Sequence, residues 1–355
     1  MRKATLFTTI GAIVLVAAGA TVRFYVVPSL VQLPADLDTT VRLAGTASMI
    51  DPVAIQSGDL LHAFRNNVPV TVVEHVKVTS TSGQTAVVSD ETTLTGPDNS
   101  MLQSSSHTWA VDRKALLAAP APSGSTVAAH EGLVVGFPLS PEAKDYPYWD
   151  ATTQAAATAK YQRTETYQGH KSYVYAVHAS GPVKDPGMTK ALPTVLPKAT
   201  LMAFAAALAP ALQQSLAAEA ASLPDQLALG YTSTSDTTFW VDTATGYVLN
   251  VTSKQAIQAS LAVGAANVPL AAVFSLDVSY TTDTVTKAKT DAASAQQGLF
   301  LLGTLIPAVA LGLALILVVI AIWIGVRGRG GRAEPPAGDA PADRTAITAE
   351  VPASD

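Results

Sequence analysis

Cysteine does not occur in the 355 residues, and charged side chains make up only 14% and aromatic ones 6%. Without cysteine there is no disulfide, no thiolate nucleophile and no zinc ribbon, so an exported region must hold together by burial alone, which a chain of this length permits. The few charges lean towards acid, 27 against 22 for a net of −5, and leave no basic surface for nucleic acid. The charged fraction is about half of the usual quarter. With 48% hydrophobic residues and a mean hydropathy of +0.28, it excludes disorder as the general state and implies a chain partly solvated by lipid.

Two stretches are both uncharged and apolar enough throughout to cross a bilayer. Residues 4–22 carry none, and at 1.5 Å of helical rise each they nearly match a hydrocarbon core of roughly 30 Å. Arg2 and Lys3 precede this run and Arg23 follows it. Ala18-Gly19-Ala20 offers the small residues of a signal-peptidase site, so cleavage before Thr21 competes with retention as an anchor. Retention is the expectation, because apolar character resumes at Phe24 to Val27, whereas signal-peptide apolar regions run to about 7–15 residues. Residues 298–326 form the second predicted span, with Pro307 near one end and Trp323 near the other, followed by Arg327, Arg329 and Arg332. Positive charge beside both spans places residues 1–3 and the predicted disordered tail, 327–355, in the cytoplasm. Residues 23–297 are then extracytoplasmic, in a protein of the plasma membrane.

That central region reads as α+β, a β-rich antiparallel domain with apolar helices. Val68 to Thr79 and Thr85 to Leu94 alternate apolar and polar residues around Ser80-Thr81-Ser82-Gly83, as a hairpin does. Tyr161 to Tyr167 and Lys171 to His178 flank Gln168-Gly169-His170 in a second. A third runs from Thr238 to Val241 and returns from Tyr247 to Val251, with Asp242 placed to accept turn amides and Gly246 to take the left-handed conformation. Ala272 to Val285 is read as one further strand. Helical spacing is concentrated in Lys198 to Leu223, where Pro210 predicts two helices, and Ala256 to Ala266 is read as a third apolar helix.

No catalytic or metal signature accompanies these elements. The six histidines show no metal-binding spacing, and the serine-elbow, phosphate-loop and dinucleotide motifs are all absent. Acidic neighbours such as Asp36 with Asp38 and Asp90 with Glu91 cannot define a glycosidase pair by linear proximity. The expectation is therefore a protein without enzymatic activity, cofactor or metal. Two features suit a hydrophobic ligand instead. Leu201, Phe204, Leu208, Leu212 and Leu216 recur at helical spacing in a segment too apolar for an idle surface helix, and Tyr146, Tyr148 and Trp149 form the densest aromatic patch outside the spans. These eight residues are the candidate apolar lining; the alternative is that the helical segment packs against a sheet face and the aromatic patch forms a corner between strands.

Several stretches resemble an actinobacterial family of envelope proteins known as PorA-type porins: MRKATLFTTIGAIVLVAAGA at the start, LPADLDTTVRLAGTA from Leu33 to Ala47, the Tyr146 to Asp150 patch with YQRTETYQGHKSYVYAV, and FWVDTATGYVLNV. The resemblance implies a cell-envelope role. It also invites the word porin, although apolar residues here are invested in two helices rather than in the outward band of a membrane barrel. A looser likeness of layout is to class B scavenger receptors, whose ectodomains pass lipid through an internal tunnel. The combined expectation is an envelope protein that binds or transfers a hydrophobic ligand such as an envelope lipid, with membrane lipid and further copies of the chain as partners. The alternative is an oligomeric pore or an envelope assembly scaffold.

Overall fold

The computed structural model describes residues 2–51, 54, 63–190, 192–204, 213–214, 223–263 and 266–327. They divide into two compact units, one of residues 1–23 with 304–355 and one of residues 24–303.

In the first unit, helix α1 (Arg2–Thr21) packs against helix α6 (Ile306–Arg327). Small residues make the approach close. A Cβ built on Gly11 would meet the Leu317 side chain, and one on Gly19 would meet Ala310 and Pro307, while Ala12, Ala314 and Ala321 are buried. Such seams let apolar helices associate where no hydrophobic force separates them from lipid. The helices that carry the apolar windows run over residues 10–29 and 282–327, the second beginning with a polar stretch that holds Asp283, Lys287, Lys289 and Asp291. A π-helical turn, Leu301–Leu305, ends two residues before Pro307, whose missing N–H removes one α-helical hydrogen bond there. The tail from residue 328 onward lies outside the described residues.

The second unit is built on an antiparallel sheet. Its strands are β1 (Asp38–Ile50), β2 (Phe64–Ser82), β3 (Thr85–Thr95), β4 (Met101–Asp112), β5 (Tyr146–Asp150), β6 (Ala155–Tyr167), β7 (His170–Pro182), β8 (Val195–Pro197), β9 (Gln226–Asp242), β10 (Val248–Val263) and β11 (Ala266–Tyr280). They lie in the order β4-β3-β2-β1-β11-β10-β9-β7-β6-β5, with β8 paired separately to β9. The sheet curls into a half-barrel. Val76, Val88 and Trp109 from one end of the sheet share a single core with Tyr146, Ala159 and Tyr175 from the other, and Leu116, Leu133 and Phe137 of the β4–β5 connection fill the space between. The same connection caps both edges through Ala128 N–H to Thr108 O on β4 and Leu133 N–H to Pro147 O on β5. Exposed edges that would otherwise template aggregation are thereby occupied.

The three predicted hairpins form, as β2–β3, β6–β7 and β9–β10. Two assignments are corrected. Residues 256–266 are not a helix: Val248–Val263 is strand β10, where Ile257, Ala259 and Leu261 are each nearly fully buried while Gln258 is exposed and Ser260 only partly buried. The burial has the period of two of a strand, and alanines gave the sequence no β-branched signal to reveal it. The predicted strand to Val285 stops at Tyr280, because Thr281 caps helix α5 (Thr282–Phe300) by accepting the Thr284 N–H at 3.2 Å. Of the two helices expected between Lys198 and Leu223, α4 (Lys198–Phe204) is present, and most of the remainder lies outside the described residues. A second π-helical turn, Val22–Val26, and two four-residue helices, α2 (Val27–Leu30) and α3 (Pro186–Thr189), are also present.

Gly45 sits where β1 approaches β11 so closely that a Cβ would meet the backbone of Asp277 and Val278. Gly45→Ala is expected to lower stability by about 1–3 kcal/mol through this overpacking, read as a reduced midpoint in urea with an unchanged slope.

Candidate functional site

Residues directly opposite across paired strands point to the same face of a sheet. Register therefore lines up one inward row over four neighbouring strands: Arg65 of β2 lies opposite Met49 of β1, Met49 opposite Phe274 of β11, and Phe274 opposite Ile257 of β10. This row floors a cavity of about 320 Å³, walled by Leu94, Met101 and Leu102 from β3 and β4. Met188 and Leu192, on and just after α3, close the far side. Three of the five methionines in the chain are here, and methionine is the apolar side chain best able to adapt its shape to what it contacts. Ile257 is almost wholly buried, whereas Met101 is 68% exposed, so the cavity runs from a dry floor to an open mouth.

Asp185 fixes the covering segment. Its carboxylate caps α3 by accepting the Gly187 N–H at 2.8 Å and takes the Ser105 hydroxyl of β4 at 2.7 Å. The backbone N–H groups of Lys184 and Asp185 both donate to Thr152 O. Gly187 lies against the β4 backbone at Ser104 and Ser105, leaving no room for a side chain.

Further along the same inward face the lining turns polar. Glu74 and Asp90, on β2 and β3, share it with Tyr148 and Tyr280. Burial first, and the Asp90 charge second, push the Glu74 carboxyl up to about 7. Burial also raises Asp90, although the Trp109 indole N–H, 3.4 Å from its Oδ2, and His107 oppose the shift. Tyr148 and Tyr280 are raised as well, through burial and then neighbouring carboxylates. Asp90 Oδ1 and His107 Nε2 are buried without a hydrogen-bond partner among the described residues. The pattern is that of two carboxyls that cannot both ionise cheaply at low dielectric. No group of three His, Asp or Glu side chains suited to a metal ion occurs among the described residues.

The sequence-derived lining falls into two places. Leu201 is 1% exposed and packs with Leu223, Leu227 and Leu261, so the apolar helix α4 meets strand β10 rather than a second helix. Phe204 ends α4, and Leu208, Leu212 and Leu216 lie outside the described residues. Tyr146 is core, stacked edge-on to Phe137 and Tyr175, with Tyr148 and Trp149 packed against the same cluster. The structure does not bring Leu201 and the aromatic patch into one cluster. The cavity itself is formed by residues that the sequence pattern does not mark: Met49, Phe274 and Ile257 each have an apolar neighbour, Ile50, Val273 and Ala256, so no clean alternation sets them apart.

The sequence profile of the family described as Porin PorA matches residues 4–323, nearly the whole chain. The chain belongs to the Porin PorA family. Membership, together with the two apolar helices, makes it a membrane protein. No curated protein matches it. Among solved structures it is similar to a MaoC domain protein from Chloroflexus aurantiacus at 12% identity, over 76% of this chain and 80% of the other. The TM-score of 0.13 is too low for that likeness to carry weight.

Proposed function

We propose that this PorA-family protein binds or passes a hydrophobic ligand, of the kind an envelope lipid supplies, through the concavity of its half-barrel. The observation that carries this reading is the methionine-lined cavity, whose volume falls within the roughly 300–1,000 Å³ of ligand pockets and whose walls are mainly apolar with a few polar groups at the rim. In this reading α1 and α6 span the plasma membrane, both chain ends are cytoplasmic, and residues 23–297 stand outside. The helices then hold the domain beside a reservoir of its ligand, and no chemical step is required of it. Purified protein is expected to release bound lipid on solvent extraction, detected by mass spectrometry. It should also take up a fluorescent acyl probe, with Met101→Glu at the open mouth weakening uptake at least about tenfold by adding a charge where the tail enters. An extract free of lipid together with no uptake would sink the proposal.

The family description and the polar stretch around Glu74 and Asp90 support a second reading, in which several copies associate and their domains form a conduit. Gly312 on α6 has open space where a Cβ would stand, leaving a small-residue position for helix contacts between copies. Steady conductance steps from purified protein in a planar bilayer would favour this reading, and a silent bilayer the first.

A further inference from the structure

The cavity is not uniformly apolar, and the one basic residue lining it among the described residues is placed where a head group would lie. Arg65 ends the inward row whose other members are Met49, Phe274 and Ile257. The row therefore runs from a guanidinium that is exposed to solvent to a buried hydrocarbon floor. Arg65 forms no ion pair or side-chain hydrogen bond among the described residues, which leaves its planar fork of donors open. Asp51, the acid in the same lining, accepts the Ala54 N–H at 3.2 Å rather than pairing with Arg65. An unpaired guanidinium suits a carboxylate or a phosphate, which it binds through two parallel hydrogen bonds.

We infer that the ligand is a single-chain amphiphile with an anionic head, its tail laid along Met49, Phe274 and Ile257 and its head held by Arg65. This rests on the ligand-binding reading above and names the class of ligand. The volume of about 320 Å³ sits at the lower limit of ligand pockets and accommodates one acyl chain rather than two. The three methionines adapt to chains of differing length or branching. A neutral lipid would leave Arg65 unused, and a cationic one would be repelled by it.

The test uses the full chain in nanodiscs of zwitterionic lipid, titrated with four fluorescent probes of one chain length that end in a carboxylate, a phosphate, an alcohol or a trimethylammonium group. At least one anionic probe is expected to bind about tenfold tighter than the alcohol, the scale of a charge-assisted contact, and the tighter of the two anions identifies the source. Arg65→Gln should bring the anions down to the alcohol's affinity without changing the alcohol's, and Arg65→Lys should keep part of the preference. Circular dichroism confirms that each variant is folded. Equal binding of all heads by the parent protein, or an anion preference that survives Arg65→Gln, overturns the anionic-head assignment and leaves the hydrophobic cavity standing. Binding of no probe overturns the cavity reading itself.

Discussion

Asp242→Ala is expected to destabilise the half-barrel by about 3–5 kcal/mol, the largest loss foreseen for any single substitution here. Asp242 is fully buried and its carboxylate gathers a turn, a hairpin and a helix. It accepts the N–H of Ala244 at 3.1 Å, the N–H and hydroxyl of Thr245 at 2.9 and 2.7 Å, and the Gln296 side chain of α5 at 2.7 Å. His170, in the neighbouring hairpin, approaches to 3.3 Å. Alanine would strand several of these donors without water, each at a cost of about 1–3 kcal/mol. Burial alone would raise the carboxyl, but the hydrogen bonds from Thr245, Gln296 and the turn amides outweigh it and hold the group below its ordinary value of 3.8. A lowered carboxyl contributes stability that is fully present above the unfolded value and disappears as pH falls through the folded one. The parent protein should therefore lose stability below about pH 4 more steeply than Asp242→Ala, which tryptophan fluorescence across urea titrations at several pH values would show.

Glu74→Gln should act in the opposite sense and stabilise the protein. The folded state holds the Glu74 proton up to about pH 7 where an ordinary glutamate releases it near 4.5. Between these values the folded chain binds more protons than the unfolded one, so stability declines as pH rises across that window. Above it both states are ionised, and the partly buried charge imposes its full cost, on the order of 3 kcal/mol. Glutamine keeps the shape without the charge. The variant should match the parent near pH 4, remain nearly level to pH 8, and exceed the parent there by that amount in urea midpoint and thermal unfolding. A parent whose stability is flat between pH 5 and 8 would show that Glu74 is ionised throughout.

The reasons why some of this architecture was legible and some was not lie in particular residues. Hairpins announced themselves because their turns need special chemistry: Gly83, Gly169 and Gly246 all have positive φ, and Asp242 caps its loop as its position foretold. Strand β10 was hidden because Ala256 and Ala259 favour helices intrinsically, and only pairing on both sides makes them extended. The α5 boundary was missed because Thr281 reads as strand by propensity and as a cap only in context. For the site, neither a clean alternation nor the register across strands was visible, so Arg65, Met49, Phe274 and Ile257 could not be assembled from a linear text. Glu74 did carry a signal. It interrupts the run Val70, Val72, Val76, Val78 at period two, an acid at a position that the pattern reserves for the interior.

The pairing of β1 with β11, Leu43 opposite Tyr280, bears on how the molecule is made. As the chain emerges into the compartment where it folds, the strands β1 to β4 can zip as consecutive hairpins, yet the outer side of β1 has no mate until the last strand has emerged. Contacts so distant in the chain are slow to form, since the loop between them must be closed first. For most of its production the nascent domain carries a long open strand of unpaired amide and carbonyl groups, vulnerable to a neighbouring chain in the same condition. Truncation even a few residues short of β11 should therefore yield aggregates rather than a smaller folded domain.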